Sequence, residues 1–232
     1  MPVYRLTDEI AFPPPVHAAP DGLLAVGGDL SPERLLLAYR LGIFPWYSDG
    51  LPILWWSPDP RLVLEPRELR VSRRLRRVLK KGVFRITFDQ AFPSVIHACA
   101  TVPRREQDGT WITPEMEQAY VRLHELGYAH SAESWRDGRL AGGLYGVSLG
   151  KCFFGESMFH YETDASKAAF TTLARHLKNW GFQMIDAQVT TRHLLSLGAK
   201  EVPRRVFLKK LAEALVFPTV KGKWEADVED TF

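Results

Sequence analysis

The chain is expected to fold as a mixed α+β protein, and three features point that way. Two turn pairs, Asp137-Gly138 and Gly150-Lys151, separate three strand-like runs at 128–136, 139–149 and 152–159. Asp-Gly between such runs is a strong hairpin signal, so these runs read as an antiparallel meander. Well-punctuated helices lie outside the meander: Ser31-Pro32-Glu33 and Thr113-Pro114-Glu115 each set a hydroxyl cap before a proline at the first helical position. The composition, 46% hydrophobic and 25% charged over 232 residues, is that of an ordinary globular chain large enough for one domain plus a small one.

In order along the chain, the first helix runs from Ser31 to its glycine stop at Gly42. Residues 42–61 follow, with three of the seven tryptophans (Trp46, Trp55, Trp56) and four prolines (Pro45, Pro52, Pro58, Pro60). Proline fixes φ and removes a donor, so this stretch cannot be one helix and reads as a rigid loop. Residues 71–81 form the next helix. Val71, Leu75, Val78 and Leu79 share one face, opposite Arg73, Arg76, Arg77 and Lys80. The helix from Thr113 closes at Gly127. After the meander come a helix at 165–180 closed by Gly181, a short apolar strand at 182–188, and helices at 192–197 and 205–216. Meander, helix, strand, helix is the order of the acetyltransferase-like (GNAT) fold. The expected architecture is therefore a GNAT-like domain over 61–232, carrying the basic helix near its start, behind a small N-terminal α/β domain over 1–60.

Several function classes are disfavoured. No apolar run approaches the ~20 residues needed to span a membrane. The start, Met1-Pro2-Val3-Tyr4-Arg5, lacks the apolar core of a secretion signal. Cys99 and Cys152 have neither metal nor redox spacing, and the seven histidines are scattered. A reduced, cytoplasmic setting with no metal is expected. The net charge is only +3, but residues 61–85 hold ten arginines and lysines against two glutamates, while the tail from Glu225 to Phe232 is acidic. That asymmetry suggests a local polyanion site.

The candidate chemistry divides by segment. Aromatics displayed on a rigid loop either wall a core or stack on a flat ligand such as a nucleobase. The basic helix is either a solvated face or a phosphate grip. Like charges at helical neighbour spacing repel, which favours the second reading. Strand alternation puts Met184, Asp186 and Gln188 on one face and Ile185 and Ala187 on the other. An acid at the end of an apolar strand, such as Asp186 or Glu156, is costly unless paired or working. If the two strands are neighbours, both acids point into one apolar site suited to a cationic amine. Leu144, Phe153, Phe154, Phe159, Phe170, Leu173, Leu177 and Ile185 would line that region, although 170, 173 and 177 also have the spacing of any core helix. The turn before the long helix, 161–167, has no glycine and two acids, unlike a turn whose amides hold the pyrophosphate of coenzyme A.

At this point the chain resembles the bacterial leucyl/phenylalanyl-tRNA–protein transferases. The resemblance rests on Pro20–Leu30, Gly42-Ile-Phe-Pro-Trp46, Leu54-Trp-Trp-Ser-Pro-Asp-Pro-Arg61, Thr110–Pro114, Gly142–Gly150, Phe153-Phe-Gly-Glu-Ser-Met-Phe159, Ala165-Ser-Lys167, Ile185-Asp-Ala-Gln188 and His193–Gly198. It implies transfer of Leu or Phe, and Met less well, from aminoacyl-tRNA to an N-terminal Arg or Lys of a protein, which marks that protein for proteolysis. It implies no cofactor and no coenzyme A. Trp46, Trp111 and Tyr120 would bind the terminal adenosine. Asp186, Gln188 and Glu156 would be catalytic. Leu144, Phe153, Gly155, Phe170, Leu173, Leu177 and Ile185 would form the aminoacyl side-chain pocket. Arg73, Arg74, Arg76, Arg77, Lys80 and Lys81 would hold tRNA phosphates. Positions 144, 173 and 177 are Leu here, where the family often has Met or Phe, and position 164 is Asp where it often has Asn.

Elementary chemistry is compatible with that carry-over. An ester becomes an amide, so the reaction runs downhill. The attacking α-amine has an ordinary pKa of about 7.7–8.0, so roughly a tenth is neutral at pH 7. Positioning matters more than a strong base and can supply ~7–11 kcal/mol. The expectation is that Asp186 holds the ammonium and accepts its proton, oriented by Gln188, while Glu156 reads the cationic side chain or shares in holding the amine. Two other readings are a coenzyme A N-acyltransferase and a non-catalytic RNA-binding protein.

Overall fold

The computed structural model describes residues 3–103 and 110–225. Most of the acidic tail, from 226 on, and the first two residues of the N-terminus read above lie outside the described residues. In chain order the strands and helices are β1 (Tyr4–Leu6), β2 (Leu23–Gly27), α1 (Pro32–Arg40), β3 (Phe44–Pro45), β4 (Leu54–Trp56), β5 (Arg61–Leu64), α2 (Arg73–Lys80), β6 (Arg85–Phe88), α3 (Phe92–Thr101), α4 (Pro114–Glu125), β7 (Ala129–Arg136), β8 (Arg139–Leu149), β9 (Cys152–His160), α5 (Ala165–Asn179), β10 (Met184–Gln188), α6 (Arg192–Ser196), β11 (Lys200–Val202) and α7 (Arg204–Leu215). Among the described residues, four strands form one sheet in the order β1-β2-β4-β3. Seven form another in the order β11-β5-β10-β9-β8-β7-β6. The fold is mixed α+β.

The helix starts follow the expected caps. Ser31 Oγ accepts from Arg34 N (3.4 Å) at α1, and Thr113 Oγ1 accepts from Met116 N (3.3 Å) at α4. The basic helix begins at Arg73 rather than Val71, because Ser72 Oγ accepts from Leu75 N (3.2 Å) and fixes the N-cap there. The stretch expected as a rigid loop is instead a short hairpin. Phe44 faces Trp56 and Pro45 faces Trp55 across β3 and β4, and Trp46 N donates to Leu54 O (2.9 Å) beyond them. Pro45 is tolerated because β3 is an edge strand. The sequence reading gave no element for residues 85–101, which form β6 and α3. A four-residue edge strand offers too little alternation to detect, and α3 starts without a side-chain cap.

The seven-stranded sheet separates two apolar clusters. Phe154 and Met184 fall in one, with Leu24, Tyr39, Trp55 and Phe207; Phe153 and Ile185 fall in the other, with Leu144, Phe170, Leu173 and Leu177. This is the strand alternation made visible, with successive side chains on opposite faces. The first cluster draws on both sheets, so the core is continuous across residue 60. Gly146 lets β8 and β9 close together: a Cβ there would lie 2.2 Å from Phe154 O. Among the described residues no helix is long and apolar enough to cross a membrane.

Candidate active site

The site opens where two strands part. β10 pairs in parallel with β9 only through Met184, Ile185 and Asp186, opposite Cys152, Phe153 and Phe154. Beyond that register both strands carry an irregularity. In β9, Tyr145 faces Ser157 and Gly146 faces Gly155, which leaves Glu156 as the extra residue. In β10, Asp186 faces Val63 and Gln188 faces Leu62, which leaves out Ala187. Gln188 also takes a left-handed backbone, φ 60°. Bulges of this kind break the ladder and re-aim side chains. Here they bring Glu156 and Gln188 together, with Gln188 Nε2 donating to Glu156 Oε1 at 2.7 Å.

The gap is a cavity of about 340 Å³, at the lower end of the size that holds a small ligand. Leu144, Phe153, Gly155, Phe170 and Ile185 form part of its apolar wall, Glu156 and Gln188 its polar part, and Phe44, Pro45, Trp46 and Trp111 another stretch. Glu156 is held by Tyr39 Oη (2.7 Å, to Oε1) and Tyr120 Oη (3.1 Å, to Oε2), and the two phenols also touch each other. Burial pushes the Glu156 carboxyl up to about 7 against the three donors, with nearby Asp186 adding to the rise. Burial and the Glu156 charge hold both tyrosines well above their ordinary value.

Asp186 is placed differently from the expectation that it holds the amine. The alternation is as read, but the carboxylate is fully buried against Arg61. Arg61 Nε donates to Oδ1 (2.9 Å), Arg61 Nη2 donates to Oδ2 (2.7 Å), and Gln188 N donates to Oδ1 (2.9 Å). It does not line the cavity. A substrate amine would have to break a buried bidentate pair to reach it. The Arg61 guanidinium lies between the rings of Phe44 (4.8 Å) and Phe207 (4.5 Å), which fixes the pair from both sides.

Three further expectations change. Tyr120 is fully buried with its hydroxyl on Glu156, so it belongs behind the carboxylate and not against an adenine. Leu173 and Leu177 are buried in the cluster behind Phe170 and Phe153 and do not reach the cavity surface. They form a second layer.

Trp46 is 38% exposed and lines the cavity, as does the partly buried Trp111. Trp46 leans on Trp56, whose Nε1 donates to Trp46 O (2.7 Å). Trp55 points the other way into the core, its Nε1 on Gly27 O (2.9 Å). On α2, Leu75 is buried, while Arg73, Arg74, Arg76, Arg77, Lys80 and the following Lys81 are exposed. Arg74 pairs with Asp164 (3.1 Å) beside the start of α5.

Reading the chain alone does not single out Tyr39, Arg61, Met158, Val189, Thr191, His193 or Leu194. Tyr39 and Arg61 complete the carboxylate network; the others line the cavity. Arg61 stood inside a quoted motif, but only as one positive charge among ten. Tyr39 sits on a face of α1 like any core residue. Burial, helped by Lys167 and His160, holds His193 below its ordinary value. Cys152 is buried, which holds its thiol well above the ordinary range and makes it a poor nucleophile. Among the described residues no three metal-binding side chains come together.

Comparison with known proteins agrees with this site. The family model described as "Leucyl/phenylalanyl-tRNA protein transferase" matches residues 63–212, and the one for the N-terminal domain of the same family matches residues 28–59. A leucyl/phenylalanyl-tRNA–protein transferase of Syntrophobacter fumaroxidans is 62% identical over 98% of this chain and 97% of its own length. One from an Anaeromyxobacter species is 59% identical over 99% and 98%. One from Myxococcus xanthus is 58% identical over 97% of each. The chain belongs to the leucyl/phenylalanyl-tRNA–protein transferase family.

Proposed function

We propose that this aminoacyltransferase moves Leu or Phe, and Met less well, from its tRNA ester to the N-terminal Arg or Lys of a protein inside the cavity between Trp46 and Phe170. The observation that carries the reading is Glu156: a carboxylate at the meeting of an apolar pocket and an exposed tryptophan, held by three neutral donors and titrating near neutrality. The donor side chain would fill the space among Leu144, Phe153, Gly155, Phe170 and Ile185. The terminal adenine would stack on Trp46 and Trp111, worth ~1–3 kcal/mol per base without reading sequence. The exposed arginines and lysines of α2 would hold tRNA phosphates. The product then carries an N-terminal residue that marks it for proteolysis.

The amine attacks the ester carbonyl carbon, the bond to the tRNA 3′ oxygen breaks, and the amine gives up a proton. Glu156 holds the ammonium and takes that proton, its pKa lying close to the amine's own. Gln188 keeps the carboxylate aimed. Asp186 acts through Gln188: paired to Arg61, it fixes the Gln188 backbone and does not touch the substrate.

The catalytic half is read as a GNAT-like domain over 61–232, supported by the meander, the following helix and the parallel strand whose pairing stops midway. Residues 1–60 are read as the N-terminal domain. Acyl transfer here would use no coenzyme A, in keeping with a glycine-free turn before α5. The test is direct. Phe-tRNA, Leu-tRNA or acetyl-coenzyme A is mixed with the protein and an Arg-initiated peptide, and the peptide is weighed by mass spectrometry. Phe and Leu adducts that ribonuclease abolishes, with no acetyl adduct, are expected. An acetyl adduct alone would overturn the reading.

A further inference from the structure

We infer that Trp224, near the end of the described chain, sets the depth of the donor side-chain pocket from behind. The inference rests on reading the cavity as the seat of Leu or Phe. After α7 the chain crosses the end of the meander and is tied there at several points. Gly150 N donates to Thr219 Oγ1 (2.9 Å), Gly222 N donates to Gly127 O (3.3 Å), and Lys221 Nζ lies 4.5 Å over the Tyr128 ring. The crossing at Gly127 leaves no room for a side chain: a Cβ there would lie 2.4 Å from Gly222 N.

These ties deliver one large ring into the core. Trp224 is 1% exposed, and its backbone N donates to Asp89 Oδ2 (2.8 Å). The same Asp89 oxygen accepts from His130 Nδ1 (2.8 Å), and the His130 ring stacks on the indole with centroids 3.7 Å apart and planes within 8°. One buried carboxylate therefore fixes both faces of the stack. On its other side the indole meets Phe182 (6.0 Å) and Phe153 (6.1 Å). Phe153 lines the cavity and Trp224 does not, so the indole stands behind Phe153.

Close packing makes that position matter. A ring backed by another rigid ring cannot retreat from a ligand, and a void behind it would be taken up by its movement. Replacing the indole should let Phe153 recede and deepen the pocket, which favours the bulkier donor. Trp224→Leu is expected to raise the ratio of kcat/KM for Phe-tRNA over Leu-tRNA on the order of tenfold, a size typical of small changes in apolar pockets. Trp224→Phe should move it in the same direction by less. A purely structural role would lower both donors by a common factor and leave the ratio alone. The wild-type protein is assayed alongside; if it transfers neither donor, the reading of the site itself fails. If the wild type transfers both and the ratio stays put in the folded variants, the Trp224 inference is overturned. Should Trp224→Leu not fold, Trp224→Phe decides.

Discussion

Glu156 is the residue on which both chemistry and stability turn. Its carboxyl stands at about 7 in the folded protein against an ordinary 4.5. A raised folded-state value means that ionisation is harder folded than unfolded. Its favourable contribution is therefore full below pH 4.5 and is lost as the pH rises through 7. Above that pH the folded state carries a cost on the order of 3 kcal/mol. Glutamine cannot ionise. Its carbonyl can keep the bonds that Tyr39 and Gln188 make, and its amide can turn to Tyr120. Glu156→Gln should therefore melt several degrees above wild type at pH 8, with the gap closing towards pH 5, as followed by thermal unfolding. A variant no more stable than wild type at pH 8 would count against the buried, strained carboxylate. At this scale Glu156 and Gln188 were legible from the chain, as acids and amides at strand ends. Arg61 as the partner of Asp186 was not, since 125 positions separate them and no periodicity links β5 to β10.

Among the elements, the parting of β9 and β10 makes the site and α2 makes the approach to it. Punctuation gave away α1, α4, α5 and the meander, because each carries caps, glycine stops or turn pairs. The bulges at Glu156 and Ala187 left no comparable mark, since a bulge is fixed by what the neighbouring strand presents. The basic face of α2 was plain in the sequence, and the burial of Leu75 alone among its residues accounts for its orientation. Neutralising Arg73, Arg76, Arg77 and Lys80 together should weaken tRNA binding and flatten the log–log salt dependence by about three, near one unit per phosphate lost. Binding titrations over a salt series check this; unchanged affinity at low salt would mean that α2 is only a solvated surface.

The whole molecule places its reaction at a seam. Phe44, Pro45 and Trp46 come from the first sheet, while Glu156, Gln188 and the pocket residues come from the second, and one core runs beneath both. The rigid Pro/Trp hairpin thus splits by function: Trp55 for the core, Trp56 as a prop, and Trp46 towards the cavity. Composition could not have made that division, because it depends on which face the other sheet covers. The central claim is that Glu156 exchanges the proton of the attacking amine. The most direct measurement is the pH profile of kcat/KM for the acceptor peptide, with Phe-tRNA as donor, in wild type and Glu156→Gln. Wild type should lose activity on the acid side through two ionisations, one near 7 and one at the amine's own value of about 7.7–8.0. The variant should be slower by about 10²–10⁴-fold and keep only the amine's ionisation. A variant with the wild-type rate and both ionisations would contradict the claim.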